Sequence, residues 1–220
     1  MLKVVIFDLD GTLIASNRLH LLTFQKAFKE VFGISLEKAE LLPLFGESIR
    51  EIAERMLETH GQKASVKKLD GFAELKVKLY DGVIEKKHLM HKSTFAFLKK
   101  LKRKGLKLAI ASGTERKMLF ASLKPVELEL FDVLICANDV KRSKPFPDEL
   151  NLALKKLKLG RKECLYVGDS LPDAKAARTA GMKFVGFLSG VVSRKRFESV
   201  KSLAVIRKIP ELGKVLGKIA

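Results

Sequence analysis

A chain of 220 residues, 47% of them hydrophobic, can bury a real core and has room for one domain with a large insertion or for two small ones. No apolar run reaches the length of a membrane span and the N-terminus lacks the shape of a signal peptide, so a cytoplasmic protein with no membrane partner is expected. The net charge of +18 turns attention to anionic partners, either nucleic acid or small phosphorylated molecules.

The stretch Val4 to Phe7 is apolar without a polar break and reads as a strand buried on both faces. It runs into Asp8-Leu9-Asp10-Gly11-Thr12, with two carboxylates two residues apart. Charge at the end of a buried strand is costly unless compensated, and Mg²⁺, which prefers hard oxygen ligands, is a natural partner. Taken alone, Asp-x-Asp is as readily a solvated acidic turn, so the weight falls on the rest of the chain. Leu19, Leu22, Phe24, Ala27, Phe28 and Val31 follow at helical spacing, and Gly33 stops the run. Pro43 and Gly46 break a second apolar stretch, and Ile49 to Leu57 form another amphipathic helix ending near Gly61. Residues 63–90 keep helical spacing, with interruptions expected at Gly71 and Gly82. No strand pattern lies between residues 15 and 90.

From His91 the alternation changes. A helix marked by Phe95, Phe97, Leu98 and Leu101 closes at Gly105, and Leu106 to Ala111 reads as a second buried strand. A helix around Met118 to Leu123 leads to a third strand, Asp132 to Cys136. Pro147 is expected as the first residue of a helix ending at Gly160. A fourth strand, Glu163 to Val167, precedes an Ala-rich helix, Pro172 to Ala180, capped by Gly181. Met182 to Phe187 is a fifth strand, and the tail adds a short strand, Leu203 to Ile206, and a helix from Pro210. Cys136 and Cys164 each lie in an apolar run, as buried strand residues do, rather than as a disulfide or a metal pair. Alternating strand and helix predicts an α/β fold: a doubly wound parallel-sheet, Rossmann-like core, residues 1–14 and 91–220, with an inserted all-helical cap, residues 15–90.

Ligands of such sheets bind beyond the carboxyl ends of the strands. Those ends carry Asp8 and Asp10, then Ser112-Gly113-Thr114, then Lys144 in Arg142-Ser143-Lys144-Pro145, then Gly168-Asp169 through Asp173. Singly, Ser112 could be a helix cap, Lys144 a surface charge and Asp173 a complement to a helix N-terminus. Together, in this order on one edge, they resemble the four motifs of the haloacid dehalogenase (HAD) superfamily phosphohydrolases. The run Val167 to Met182 is similar to the phosphoglycolate phosphatase and β-phosphoglucomutase branch, and the resemblance covers about residues 3–190.

The resemblance implies a mechanism. Asp8 is the nucleophile that forms an aspartyl phosphate. Asp10 protonates the departing alkoxide and then activates water, a task that calls for a carboxyl held partly protonated. Mg²⁺ sits on one oxygen of Asp8, the backbone carbonyl of Asp10 and Asp169, while Asp173 orients its waters or Lys144. Ser112, the backbone N–H of Gly113 and Lys144 neutralise phosphoryl oxygens. In the cap, Arg50 resembles a substrate-facing arginine and His20 is in register with a histidine of sugar-phosphate members; the bland readings are a solvated helix face and a packed helix residue. Lys76 is a further candidate contact. The chain departs from the branch at Ala15 before Ser16, at Lys92-Ser93 in place of Pro-Gly, and at Ser143 where glycine is usual.

The expected activity is thus a Mg²⁺-dependent phosphatase on a small phosphorylated metabolite, phosphoglycolate or a sugar phosphate. A β-phosphoglucomutase-like phosphomutase is the alternative that the residues do not separate from it. A basic nucleic-acid-binding protein on an inactive HAD scaffold is a third, disfavoured because the acidic and phosphate-binding set is intact. The basic residues also lie along helical segments with few aromatics beside them and no nucleic-acid motif, as on the solvated, Lys-rich surface of a thermophile protein. A monomer or a homodimer is expected.

Overall fold

The computed structural model describes residues 1–84 and 89–219. Six strands, β1 Val4–Phe7, β2 Lys107–Ala111, β3 Val133–Ile135, β4 Cys164–Gly168, β5 Lys183–Phe187 and β6 Ala204–Ile206, form one sheet in the order β3-β2-β1-β4-β5-β6. Every neighbouring pair is parallel. The chain runs from β1 outwards through β2 and β3, then crosses to β4 on the other side of β1. Strand β1 therefore lies at the point where the winding reverses and such sheets open a crevice at the strand ends.

The helices are α1 Asn17–Phe32, α2 Lys38–Leu41, α3 Ile49–Thr59, α4 Val66–Ile84, α5 Lys92–Arg103, α6 Arg116–Ser122, α7 Pro125–Leu128, α8 Asp148–Leu157, α9 Leu171–Ala180, α10 Arg194–Ser199 and α11 Leu212–Ile219. The apolar run of β1 is explained by burial on both faces. Val5 and Phe7 join Leu98, Leu101 and Leu212 on one face, while Val4 and Ile6 join Leu150, Ala153 and Ala177 on the other. Cys136 and Cys164 are free and buried.

Helices α1 to α4 form the insert between β1 and β2 and have their own core, in which Phe24, Phe28, Phe32 and Phe72 cluster. Its two connections to the sheet run side by side: Ile14 bridges Met90 in antiparallel fashion, and Ala15 N–H donates to Leu89 C=O at 3.1 Å.

Several boundaries differ from expectation. Helix α4 passes unbroken through Gly71 and Gly82. Each glycine costs an exposed helix about 1 kcal/mol, which the buried stripe of Leu69, Phe72, Val77, Tyr80 and Ile84 outweighs. Residues 85–88 of the expected helical run 63–90 lie outside the described residues. Pro147 is the N-cap of α8 rather than its first residue, and α8 stops at Leu157 because Lys158 turns left-handed (φ 54°). Short helices α2, α7 and α10 had no periodic signal, four to six residues being too few to show one.

Candidate active site

Asp8 leaves the end of β1 almost fully buried. Lys144, also fully buried, donates from Nζ to Asp8 Oδ1 at 2.6 Å, to Asp173 Oδ1 at 2.7 Å and to Tyr166 Oη at 3.3 Å. Tyr166 Oη in turn donates to Asp173 Oδ1 at 2.6 Å. The other oxygen of Asp173 accepts from Ser170 N–H at 3.0 Å and Ser170 Oγ at 2.5 Å, while Asp173 N–H donates to Ser170 Oγ. This reciprocal cap fixes both the start of α9 and the aim of Asp173. Glycine at 168 permits it: a Cβ there would meet Asp173 Cγ at 2.5 Å. Asp169 accepts from Asn17 Nδ2 at 3.0 Å and Ser189 Oγ at 2.5 Å. Gly11, at φ +78°, lets the turn after Asp10 pass against Asp169 and Asn17, which a side chain would strike.

Asp8, Asp169 and Asp173 thereby bring one carboxylate oxygen each within 4.8 Å of one another. Burial, with Asp173 and Asp169 adding to it, raises the Asp8 carboxyl well above its ordinary value against the pull of Lys144. Burial and Asp173 raise Asp169 to about 7. The same neighbours, Asp173 and Asp8, overcome burial at Lys144 and hold its ammonium charged well above the usual range. Three buried carboxylates facing one lysine leave an excess of negative charge that a hard divalent cation would neutralise, so the donor set fits a metal of the Mg²⁺ type.

Asp10, two residues on, has other surroundings. Its Oδ1 accepts from Ser16 Oγ at 2.5 Å and lies 2.8 Å from His20 Nε2, and its Oδ2 accepts from Thr114 Oγ1. Burial pushes the carboxyl up, but His20 and the hydroxyls of Ser16 and Thr114 outweigh it and hold Asp10 below the ordinary carboxylate range. The expected partly protonated Asp10 is therefore corrected: in this arrangement donors surround it and favour the anion. Behind His20 stands Lys76, fully buried, with Nζ 2.8 Å from His20 Nδ1 and 4.8 and 4.9 Å from the ring centres of Phe24 and Tyr80. Burial lowers Lys76 to about 7, and burial with Lys76 beside it lowers His20 against the pull of Asp10.

Asp8, Asp10, His20, Ser112 and Gly113 line one cavity of about 40 Å³ together with Asn17, Glu47 and Thr114. The insert closes over it. A Cβ on Gly113 would meet the carbonyl oxygens of Gly46 and Glu47 at 2.7 and 3.0 Å, so the α2–α3 turn rests on the Ser112 loop. Arg50 is not part of this cavity. It is half-exposed on the insert surface, bonded to Glu54 at 3.3 Å and Asp70 at 3.2 Å, because α3 turns its polar face outwards to those carboxylates. Sequence reasoning missed Ser16, Asn17, Thr114, Tyr166 and Ser189. Ser16 and Thr114 flank motif residues and could have been found by position, whereas Tyr166 looks like any strand aromatic.

A wound parallel sheet with a helical insert and an aspartate-lysine cluster at the strand ends defines a phosphatase-type enzyme. The chain belongs to the haloacid dehalogenase-like hydrolase family, whose model matches residues 5–187. It is 30% identical over 220 residues to a putative pyrophosphatase PpaX of Caldanaerobacter subterraneus subsp. tengcongensis, covering 98% of this chain and 94% of the relative. A pyrophosphatase PpaX of Bacillus mycoides is 26% identical over 219 residues, covering 99% and 98%. Among solved structures, a hydrolase from Pseudomonas syringae superposes with a TM-score of 0.89 at 26% identity over 99% of both chains. A β-phosphoglucomutase from Clostridium difficile shares the fold, with a TM-score of 0.86 at 22% identity over 100% of this chain and 97% of that one.

Proposed function

We propose that the protein is a Mg²⁺-dependent phosphatase that hydrolyses a small phosphomonoester, of the phosphoglycolate or sugar-phosphate kind, through an aspartyl phosphate on Asp8. The observation that carries this reading is the shared cavity: Asp8 faces it beside Ser112 and Gly113, with Lys144 bonded to Asp8 at 2.6 Å. Residues 1–14 and 91–220 act as the catalytic core and residues 15–90 as its cap, hinged where Ile14 meets Met90.

Asp8 attacks phosphorus, the ester P–O bond breaks, and the leaving oxygen takes a proton from Asp10. Water then attacks phosphorus, Asp10 accepts its proton, and Asp8 is released with inorganic phosphate. Asp8, Asp169 and the backbone carbonyl of Asp10 would hold the cation, which supplies charge neutralisation at the phosphoryl oxygens. Ser112, Gly113 N–H and Lys144 bind the same oxygens, and Asp173 holds Lys144 in place. Because Asp10 rests as an anion, its proton comes along His20 and Lys76: His20 Nε2 gives one up and Nδ1 takes one from Lys76. An arriving phosphate dianion favours that transfer, since it raises the cost of a second anion at Asp10.

Inorganic pyrophosphate is a second reading, favoured by the names of the relatives and by the ionised Asp10. A phosphate leaving group needs less protonation than an alkoxide, and the small cavity suits a compact substrate. Phosphate release from a panel of phosphometabolites and pyrophosphate, measured for wild type and Asp8→Asn with Mg²⁺, tests both. Wild type should turn over at least one of them, with a loss of about a thousandfold or more in Asp8→Asn. Sustained turnover in that variant removes Asp8 as nucleophile.

A further inference from the structure

Ser143 and Glu149 take no part in the chemistry above, yet both are buried beside it. Ser143 immediately precedes Lys144, and its Oγ–H donates to Glu149 Oε1 at 2.5 Å. Glu149 stands in the first turn of α8, fully buried, and its Oε2 has no hydrogen-bond partner among the described residues. A carboxylate with one oxygen stranded away from any donor is poorly stabilised, and the neutral acid suits such a place far better. The charged and titratable groups that face it are Lys144, Asp173 from α9, Glu51 from α3, and the Cys136 thiol after β3. Burial, with Asp173 and Glu51 adding to it, pushes the Glu149 carboxyl up to about 7 against the pull of Lys144 and Ser143.

We propose that Glu149, as a neutral acid, is a positioning residue for the turn that carries Lys144, and that its ionisation weakens the hold of this lysine on a phosphoryl group. The inference rests on the reading of Lys144 as a phosphate ligand. Lys144 already serves two carboxylates, Asp8 and Asp173. A further full negative charge behind it draws the ammonium back and repels an incoming dianion, whereas the neutral acid does neither. The Ser143 hydroxyl, which the glycine usual at that position would lack, ties Glu149 Oε1 to the residue that precedes Lys144. Two apolar residues would pack in the same space without any desolvation cost, so a purely structural role gives no reason for the polar pair.

Glu149→Gln keeps the size and the acceptor and cannot ionise. KM and kcat for p-nitrophenyl phosphate are measured from about pH 6 to about pH 9 for both proteins, with Mg²⁺. In parallel, the rise in Tm given by inorganic phosphate is followed over the same range in metal-free buffer. Relative to Glu149→Gln, wild-type KM should climb roughly tenfold across neutrality while the kcat profiles stay parallel, and phosphate protection should shrink in wild type alone. Ser143→Gly removes the bond that favours the anion, so its KM rise should move to higher pH; this variant keeps the test open if Glu149→Gln does not fold. Coincident KM and protection profiles for wild type and Glu149→Gln overturn the inference. Phosphate that protects wild type at no pH, or full activity in Asp8→Asn, overturns instead the reading on which it rests.

Discussion

Two carboxylates leave the same strand two residues apart and meet opposite surroundings. Asp8 looks into the sheet edge, where Asp169, Asp173 and Lys144 all come from the core and crowd anions together. Asp10 looks towards the insert, where Ser16 and His20 stand beside it, with Thr114 of the core on its other side. The first surroundings raise a carboxyl and the second lower one. The carboxylates and lysine around Asp8, the anionic half of the site, thus come from the strand ends of the parallel sheet, with Asn17 of the insert bonding Asp169. The surroundings of Asp10 are complete only when the helical insert sits on the sheet.

The sharpest way to break this division is Asp10→Asn, which should leave the Asp8 cluster intact and cut phosphatase turnover by about a hundredfold or more. Turnover near wild type would dissolve the distinction between the halves.

The anionic half is tested through stability. With a folded-state value of about 7 for Asp169, the folded protein binds this proton more tightly than the unfolded chain does. Its contribution is present below about pH 4 and lost as pH rises to about 7, so at higher pH the ionised group destabilises the metal-free protein. Metal-free Asp169→Asn should therefore melt about 5 °C or more above wild type near pH 8, with the difference gone near pH 4. Mg²⁺ should raise the Tm of wild type and not that of the variant. Equal melting of the two metal-free proteins at pH 8 would show that the cluster carries no such strain.

Arg50→Ala should do least. Its guanidinium is spent on Glu54 and Asp70 at the insert surface, so kcat/KM should stay within about twofold of wild type. A tenfold loss would place Arg50 at the substrate in a conformation unlike this one.

Much of this was legible in the residues. The unbroken Val4–Phe7 run and the later strands gave the wound sheet, because two-sided burial leaves continuous apolar runs and strand–helix alternation has few topologies. The helical block between β1 and β2 was legible for the same reason, although the expected breaks at Gly71 and Gly82 were not there: a local propensity of about 1 kcal/mol yields to a buried stripe. His20 and Arg50 are both expected to face substrate from the insert; His20 lies 2.8 Å from Asp10 in the cavity, whereas Arg50 pairs with Glu54 and Asp70 on the insert surface. Helical spacing says which residues share a face, not which neighbour that face meets.

The sequence by itself determined the succession of strands and helices along the chain, the helical insert and the set of acidic and basic residues at the strand ends, since these depend on periodicity and on position within each element. Only the tertiary structure decided the protonation of that set. Whether Asp8 and Asp10 rise or fall, and whether Lys76 and Glu149 titrate near neutrality, depends on burial and on charges drawn from remote parts of the chain, at distances that no spacing along it encodes.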